Sequence, residues 1–265
     1  MILPPFKGNL DQSGFFIYAA CDPYYFDCFA KPLINSIKQN TNFGVHLHLY
    51  NPLPEQVTYC RSQERVSVTF EDVPITLFDD AAARWVEPPT DPEQNLKYKR
   101  ILNAMSKSND TNIQGRIQRT YFACARFIRL AEVINPTRSL LAIDIDAVVR
   151  RELPLLSNTK DFYIHHIEGK KARYLAGGLY LPGTNNGYEF LKTYATTLKS
   201  NIEADNLYWG IDQDVLDDIV PKYHWGQLPM SYIDWGMQEQ SYIWTAKGAR
   251  KELEIFTNEQ NQYNF

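Results

Sequence analysis

Short apolar runs with strand character alternate with segments of helical periodicity through the first half of the chain. "GFFIYAACD" (14–22) is an apolar run that ends in small residues and an acid. "GVHLHLYNP" (44–52) and "RVSVTFE" (65–71) alternate apolar and polar positions, and the first of these stops at an Asn-Pro turn. Between the first and second of these runs, residues 24–40 place apolar side chains at helical spacing. This order predicts an α/β fold, with a mixed, mostly parallel central sheet flanked by helices.

The rest of the chain continues this pattern after one interruption. From Pro74 to about Ile113 the periodicity weakens, and the polar run "VEPPTDPEQN" predicts either a mobile loop or lid, or a plain surface excursion. Residues 115–136 then give the clearest predicted helix, which an Asn-Pro pair ends. Because no linker or repeat interrupts the remaining strands and helices, we expect one domain over residues 1–265.

Composition excludes several classes of protein. The chain has 265 residues, 44% of them hydrophobic, and a net charge of −4, which disfavours a general nucleic-acid binder. No segment approaches the roughly 18 apolar residues of a membrane span, and the first residues lack a signal-peptide pattern. Four cysteines without metal-site spacing predict buried thiols in a reducing compartment: Cys21, Cys28, Cys60 and Cys124. These features predict a cytoplasmic protein.

Two aspartates separated by one residue follow the apolar run of residues 140–143. Ligands of parallel α/β sheets bind beyond the carboxyl ends of the strands, where Asp144 and Asp146 are expected. Side chains at i and i+2 of an extended segment point to the same side, so both carboxylates can hold one hard cation such as Mg²⁺ or Mn²⁺. Alternatively, these acids end a solvated strand and pair with Arg150 and Arg151.

Five motifs, spread along the chain, resemble those of a known protein family and occur in the order found in that family. They are "FFIYAACD", "YFACARFIRLAEVI" leading into "SLLAIDIDAVV", "YLAGGLYL", "WGIDQDVLDDI" and "YIWTAKGARK". Over residues 14–252 the chain resembles nucleotide-sugar glycosyltransferases of the GT-A fold, especially family 8, the glycogenin and bacterial galactosyltransferase group. The resemblance implies transfer of a hexose from a nucleoside-diphosphate sugar, most commonly a UDP-sugar, to a hydroxyl acceptor on a carbohydrate or another small molecule. It also implies a nucleotide- and metal-binding half (14–150) and an acceptor-side half with a C-terminal loop (151–265).

The resemblance implies a donor site built from several parts of the chain. Asp144 and Asp146, with Ile145 between them, would bind Mn²⁺ or Mg²⁺ and the diphosphate. The first-strand loop would hold the nucleoside through Ala19, Ala20, Cys21 and Asp22, although Asp22 alternatively caps a helix. Arg126 would reach the donor, with Arg129 one helical turn later; alternatively these arginines form salt bridges to Asp144 or Glu132.

The remaining motifs imply the parts of the site that face the sugar and the acceptor. Gly177 and Gly178 would form a ledge under the donor sugar, or else a bulge without function. Asp212 and Gln213 would lie near the donor sugar and the acceptor hydroxyl, unless Asp212 only begins a helix. Lys247, in a basic loop, would help the nucleoside diphosphate to leave.

One position departs from the family pattern. Many family members place a histidine ligand in the C-terminal loop, whereas this chain has Thr245, or Trp244, there. His165 and His166 are weaker candidate ligands, and a core or surface role is favoured for them. We therefore expect weak metal binding in the absence of donor.

Two other functions remain open from the sequence. "LLAIDIDAVV" also fits haloacid-dehalogenase-like phosphatases, in which Asp144 would be the nucleophile and Asp146 the acid/base. A catalytically silent domain that only binds a nucleotide sugar is the third possibility, and the missing loop histidine supports it.

Overall fold

A computed structural model of the chain describes residues 1–107, 112–169 and 174–265. In this part of the chain, eight strands form one mixed sheet in the order β1-β4-β3-β2-β5-β8-β7-β9, and β10 pairs with β6 in a small second sheet. The strands are β1 (Phe6–Gly8), β2 (Phe16–Cys21), β3 (Gly44–Tyr50), β4 (Val66–Glu71), β5 (Ser139–Ile143), β6 (Ala147–Val149), β7 (Tyr163–His166), β8 (Tyr174–Pro182), β9 (Gly226–Gln227) and β10 (Ile243–Thr245).

The centre of the large sheet is parallel. β2 pairs in parallel with both β3 and β5, and β3 pairs in parallel with β4, whereas β8 runs antiparallel to β5. The loops that follow β2 and β5 therefore leave the sheet at the same edge, side by side. The small sheet sets Thr245 opposite Ala147, which brings the C-terminal loop to the residues that follow β5.

Helices cover both faces of the sheet. They are α1 (Pro23–Tyr25), α2 (Lys31–Asn40), α3 (Pro54–Ser62), α4 (Asp79–Ala83), α5 (Pro92–Ser106), α6 (Ile113–Val133), α7 (Asn185–Glu203), α8 (Ile211–Ile219) and α9 (Glu254–Asn261), with a π-helical turn at Phe26–Ala30. α6 confirms the clearest helix prediction. Two tyrosines on adjacent strands hold it along the sheet, since the Tyr18 and Tyr50 hydroxyls donate to backbone carbonyls of α6 at 2.7 and 3.1 Å.

The strand alternation divides the core into two layers, one on each face of the sheet. Along β2, Phe16 and Tyr18 pack towards α6 and α7, whereas Ile17, Ala19 and Cys21 pack towards α2. Side chains of opposite parity therefore face opposite layers, as the pleat requires. Among the described helices, none is long and apolar enough to cross a membrane.

The structure contradicts two sequence predictions, one about the region after Pro74 and one about the burial of the cysteines. The weakly patterned region after Pro74 contains α4 and α5 rather than a long loop, and Asp91 caps α5 by accepting from the Gln94 N–H at 2.8 Å. Residues 108–111 of that region lie outside the described residues. Cys28 is exposed, whereas the other three cysteines are buried and all four are free thiols.

Candidate functional site

A cavity of about 400 Å³ opens at the carboxyl ends of β2 and β5. Its volume is in the range of small-molecule sites. It brings together most of the residues predicted for the donor site: Ala20, Cys21, Asp22, Arg126, Asp144, Ile145, Asp146, Gly177, Asp212, Gln213 and Lys247. Six separate segments supply these residues, so the fold assembles the predicted set in one place.

Asp144 is paired with an arginine at the base of the cavity. The Arg126 guanidinium donates to the Asp144 carboxylate and, at 3.0 Å, to the Ala176 carbonyl. Burial lowers the pKa of Arg126, but the negative charges of Asp144 and Asp212 more than offset this effect. The pKa of Arg126 is therefore raised above its usual value. The arginine therefore stays charged and holds Asp144 in place, which agrees with the salt-bridge alternative for Arg126 without removing it from the cavity.

Asp146 is paired with a lysine that the sequence did not single out. The Lys251 ammonium lies 2.5 Å from an Asp146 carboxylate oxygen, and it also donates to the Tyr25 hydroxyl at 3.1 Å. Thr245 donates to the Asp146 backbone carbonyl at 3.2 Å. Burial and the neighbouring Asp144 raise the pKa of Asp146, whereas Lys251 lowers it. Each acid of the pair thus has its own cation.

The alternative in which the acid pair binds the next two arginines is wrong. Arg150 pairs with Glu259 at 3.0 Å, and Arg151 donates to the Glu239 carbonyl at 2.7 Å. Both arginines follow β6, which pairs with β10, and neither arginine lines the cavity.

Asp212 and Gln213 begin α8 beneath the same cavity. The preceding Gly210 has φ +90°, a left-handed conformation that favours glycine, and it turns the chain into the helix. Asp212 is only 9% exposed. Burial raises the pKa of Asp212, against the lowering effect of Arg126. A buried acid of this kind beside a cation is suited to accept a hydrogen bond or a proton from a ligand hydroxyl.

The two glycines of β8 have different surroundings. A Cβ on Gly177 would lie 3.1 Å from the Asp144 Oδ2, so the bare backbone leaves room for that carboxylate. A Cβ on Gly178 would instead meet Ile233 and Leu228 in the core, and Gly178 does not line the cavity. Ala19 also lies outside the lining, because it points to the opposite face of β2 from Ala20.

The first-strand loop supplies one wall. Asp22 caps α1 by accepting a hydrogen bond from the Tyr25 N–H at 2.8 Å, which agrees with its alternative role as a helix cap. Asp22 also lines the cavity. Burial raises the pKa of the Cys21 thiol well above its usual range, which makes it a neutral lining group.

Other candidates lie away from the cavity. Arg129 is buried in ion pairs with Glu71 and, at 2.7 Å, with Glu132, which agrees with its salt-bridge alternative. His165 is buried against Trp235 with ring centroids 5.1 Å apart, and neither His165 nor His166 lines the cavity.

Several lining residues were not predicted. They include Tyr25, Arg116, Arg119, Trp209 and Lys251. Both Lys247 and Lys251 of the basic loop line the cavity, but spacing alone cannot tell which lysine reaches Asp146. Lys251 does so, whereas the exposed Lys247 lies 5.0 Å from the centroid of the Trp235 ring. A tryptophan just before the "DQ" segment was the available signal for Trp209.

The acid pair offers a limited set of metal ligands. Within the described ranges, no three His, Cys, Asp or Glu side chains come close enough to hold a metal ion together. The two carboxylates are hard oxygen donors that suit Mg²⁺ or Mn²⁺, and water and phosphate oxygens would complete the shell. Asp144 and Asp146 thus fit a cation that binds together with a phosphate ligand, provided that Lys251 moves off Asp146.

Comparison with solved structures identifies the fold. The galactosyltransferase LgtC, solved in complex with donor and acceptor sugar analogs, superposes with a TM-score of 0.54 and 13% identity over 94% of this chain and 96% of that chain. An active-site mutant of LgtC superposes with a TM-score of 0.54 and 12% sequence identity, again over 94% of this chain and 96% of that chain. The glycosyltransferase GlyE of Streptococcus pneumoniae TIGR4 superposes with a TM-score of 0.50 and 12% sequence identity, over 96% of this chain and 63% of that chain.

These similarities confirm the predicted fold class, a mixed α/β sheet of the GT-A glycosyltransferase type. No protein-family model matches the sequence, and no curated protein matches it either.

Proposed function

We propose that the chain is a metal-dependent glycosyltransferase, which moves a hexosyl group from a nucleoside-diphosphate sugar to a hydroxyl acceptor. One observation carries the proposal: the cavity joins the first-strand loop, the acid pair, Arg126, Gly177 and the start of α8 in a glycosyltransferase fold. A fold neighbour binds donor and acceptor sugar analogs, which supports this class of ligand. UDP is the favoured nucleotide because of the family-8 resemblance.

The residues have separate roles in this proposal. Ala20, Cys21 and Asp22 lie against the nucleoside, while Ala19 and Gly178 support the wall from the core side. Asp144 and Asp146 would hold Mn²⁺ or Mg²⁺, which when bound would supply positive charge to the leaving diphosphate. Lys251 and Lys247 add positive charge from the C-terminal loop.

The acceptor side uses α8. Asp212 orients the acceptor hydroxyl and accepts its hydrogen bond, and Gln213 lies beside the donor sugar. The bond between the sugar anomeric carbon and the diphosphate oxygen breaks, and a bond from that carbon to the acceptor oxygen forms. The nucleoside diphosphate leaves with the bonding electrons, and the hydroxyl proton passes to solvent or to the departing phosphate.

A thermal-shift panel of nucleotide sugars, with and without Mn²⁺, tests the proposal. A saturating donor should raise the melting temperature by about 5 °C when Mn²⁺ is present and much less without it. Asp144→Asn and Asp146→Asn should lose the shift, whereas Asp72→Asn, at an exposed surface ion pair, should keep it. Absence of a shift with every donor would refute the proposal.

Two assays separate the other functions. The glycosyltransferase neighbours disfavour the phosphatase alternative, and hydrolysis of p-nitrophenyl phosphate would revive it. Slow release of free sugar from the donor distinguishes a transferase from a silent binding domain, which would bind the donor without releasing sugar.

A further inference from the structure

A large aromatic side chain is exposed inside the cavity without an assigned role. Trp209 lines the cavity and is 41% exposed, although its neighbours Leu207 and Tyr208 are buried. Exposed indole surface is unfavourable in water, and a tryptophan in a polar-apolar cleft commonly contacts a ligand.

The backbone around Trp209 is firmly anchored. Arg100 donates to the Asp214 carboxylate at 2.5 and 3.1 Å and to the Gly210 carbonyl at 3.5 Å. The Tyr208 hydroxyl donates to Asp214 at 2.9 Å. These contacts hold the residues on both sides of Trp209, so its exposure follows from the fold of this loop.

One face of the indole is covered by an arginine that also lines the cavity. The Arg116 guanidinium lies 4.6 Å from the Trp209 ring centroid, and it also donates to the Ala104 carbonyl on α5 at 3.0 Å. Arg116 is itself only 3% exposed. The exposed part of the indole is therefore the remainder of the ring, which borders the cavity.

Trp209 lies at the end of the cavity away from the acid pair. Arg116, on which it stacks, precedes Arg126 by ten residues on α6, which corresponds to about 15 Å along the helix axis. Trp209 is also three residues before Asp212. The indole thus borders the part of the cavity next to the start of α8, away from the Arg126–Asp144 pair.

We propose that Trp209 is the stacking platform for a pyranose ring of the acceptor, an inference that rests on the proposed glycosyltransferase function. The C–H face of a pyranose carries partial positive charge and packs on the electron-rich face of an indole, while its hydroxyls project from the rim. Stacking on Trp209 directs a rim hydroxyl towards Asp212. The acceptor class is therefore a carbohydrate rather than a simple alcohol or a peptide hydroxyl.

The test compares Trp209→Ala and Trp209→Phe with the unmodified protein. Methyl hexopyranosides, lactose, maltose and cellobiose serve as acceptor probes with a UDP-hexose donor and Mn²⁺. Trp209→Ala should raise the acceptor KM about tenfold, and Trp209→Phe only about twofold, because phenyl retains part of the stacking surface. The donor KM and the rate of donor hydrolysis to free sugar should stay unchanged in both variants.

The outcomes separate this inference from the proposed function. If Trp209→Ala impairs donor hydrolysis as much as transfer, Trp209 serves the donor and the inference fails. Equal acceptor KM values for the Ala variant and the unmodified protein also overturn it. If the unmodified protein hydrolyses donor but neither glycosylates a probe nor changes its tryptophan fluorescence on adding one, a sugar-ring acceptor is refuted while the donor chemistry stands. Absence of donor binding and hydrolysis would overturn both proposals.

Discussion

Replacing Lys251 by methionine should tighten Mn²⁺ binding to the nucleotide-free protein. The Lys251 ammonium lies 2.5 Å from Asp146, and the side chains are only 20% and 10% exposed. A divalent cation that takes Asp146 as a ligand must first displace this ammonium. The Lys251 ammonium also lies 4.4 Å from the Tyr25 ring centroid, and methionine, which is unbranched like lysine, can keep contact with this ring while it removes the competing charge.

The size of the effect follows from the strength of this pair. The Coulomb attraction at this separation is about 7 kcal/mol at an effective dielectric constant of about 20. Desolvation of both groups removes most of it, and a hydrogen bond between charged groups retains about 1.5–3 kcal/mol. In K251M the cation no longer has to break this hydrogen bond. The lower value, about 1.5 kcal/mol, corresponds to about a tenfold increase in Mn²⁺ affinity.

Calorimetric or EPR titration of the nucleotide-free protein with Mn²⁺ measures this affinity. Lys192→Met is the matched control, because Lys192 pairs with Glu189 on the exposed face of α7, and it should leave the affinity unchanged. Unchanged or weaker Mn²⁺ binding in K251M would refute competition for Asp146. Equal Mn²⁺ binding by Asp146→Asn and the unmodified protein would refute Asp146 as a ligand.

Three further predictions concern the site and the core. Arg126→Met removes the cation beside the half-buried Asp144 and the buried Asp212, so the free energy of unfolding in urea should fall by about 3 kcal/mol, and an unchanged value would contradict the role of the pair. Gly177→Ala places a Cβ 3.1 Å from the Asp144 Oδ2 and should weaken donor binding about fivefold, as measured by donor titration; full affinity would show that Asp144 tolerates displacement. Burial lowers the pKa of His165 from 6.5 to about 4, so the unfolded chain takes up this proton first as the pH falls. The stability contributed by the neutral ring is therefore complete above pH 6.5 and declines by about 1.4 kcal/mol per pH unit between pH 6.5 and 4. Urea unfolding across this range should show a shallower decline in His165→Leu, and an identical slope would argue against the assignment.

The order of motifs along the chain was sufficient to predict where the cavity forms. "FFIYAACD" and "SLLAIDIDAVV" are both apolar runs that end in acids, and parallel strands bring such ends to one edge of a sheet. Two predicted residues, Ala19 and Gly178, do not line the cavity. Gly178 points to the face of β8 opposite Gly177, and Ala19 shares the face of β2 with Cys21 but lies two residues before the end of the strand. Which residues of a strand face the cavity is known only when the helices on both faces of the sheet are in place.

By itself, the sequence determined the α/β class, the main helix α6 and the placement of Asp144 and Asp146 at a strand end, because these depend on local periodicity. Only the tertiary structure decided which cation meets each acid. Lys251 lies 105 residues beyond Asp146 in the chain, and the pairing of β10 with β6 brings the two together. Trp209 and Arg116 likewise meet only because α6 passes the start of α8. Such contacts depend on how separate elements pack, and no local pattern of residues encodes that packing.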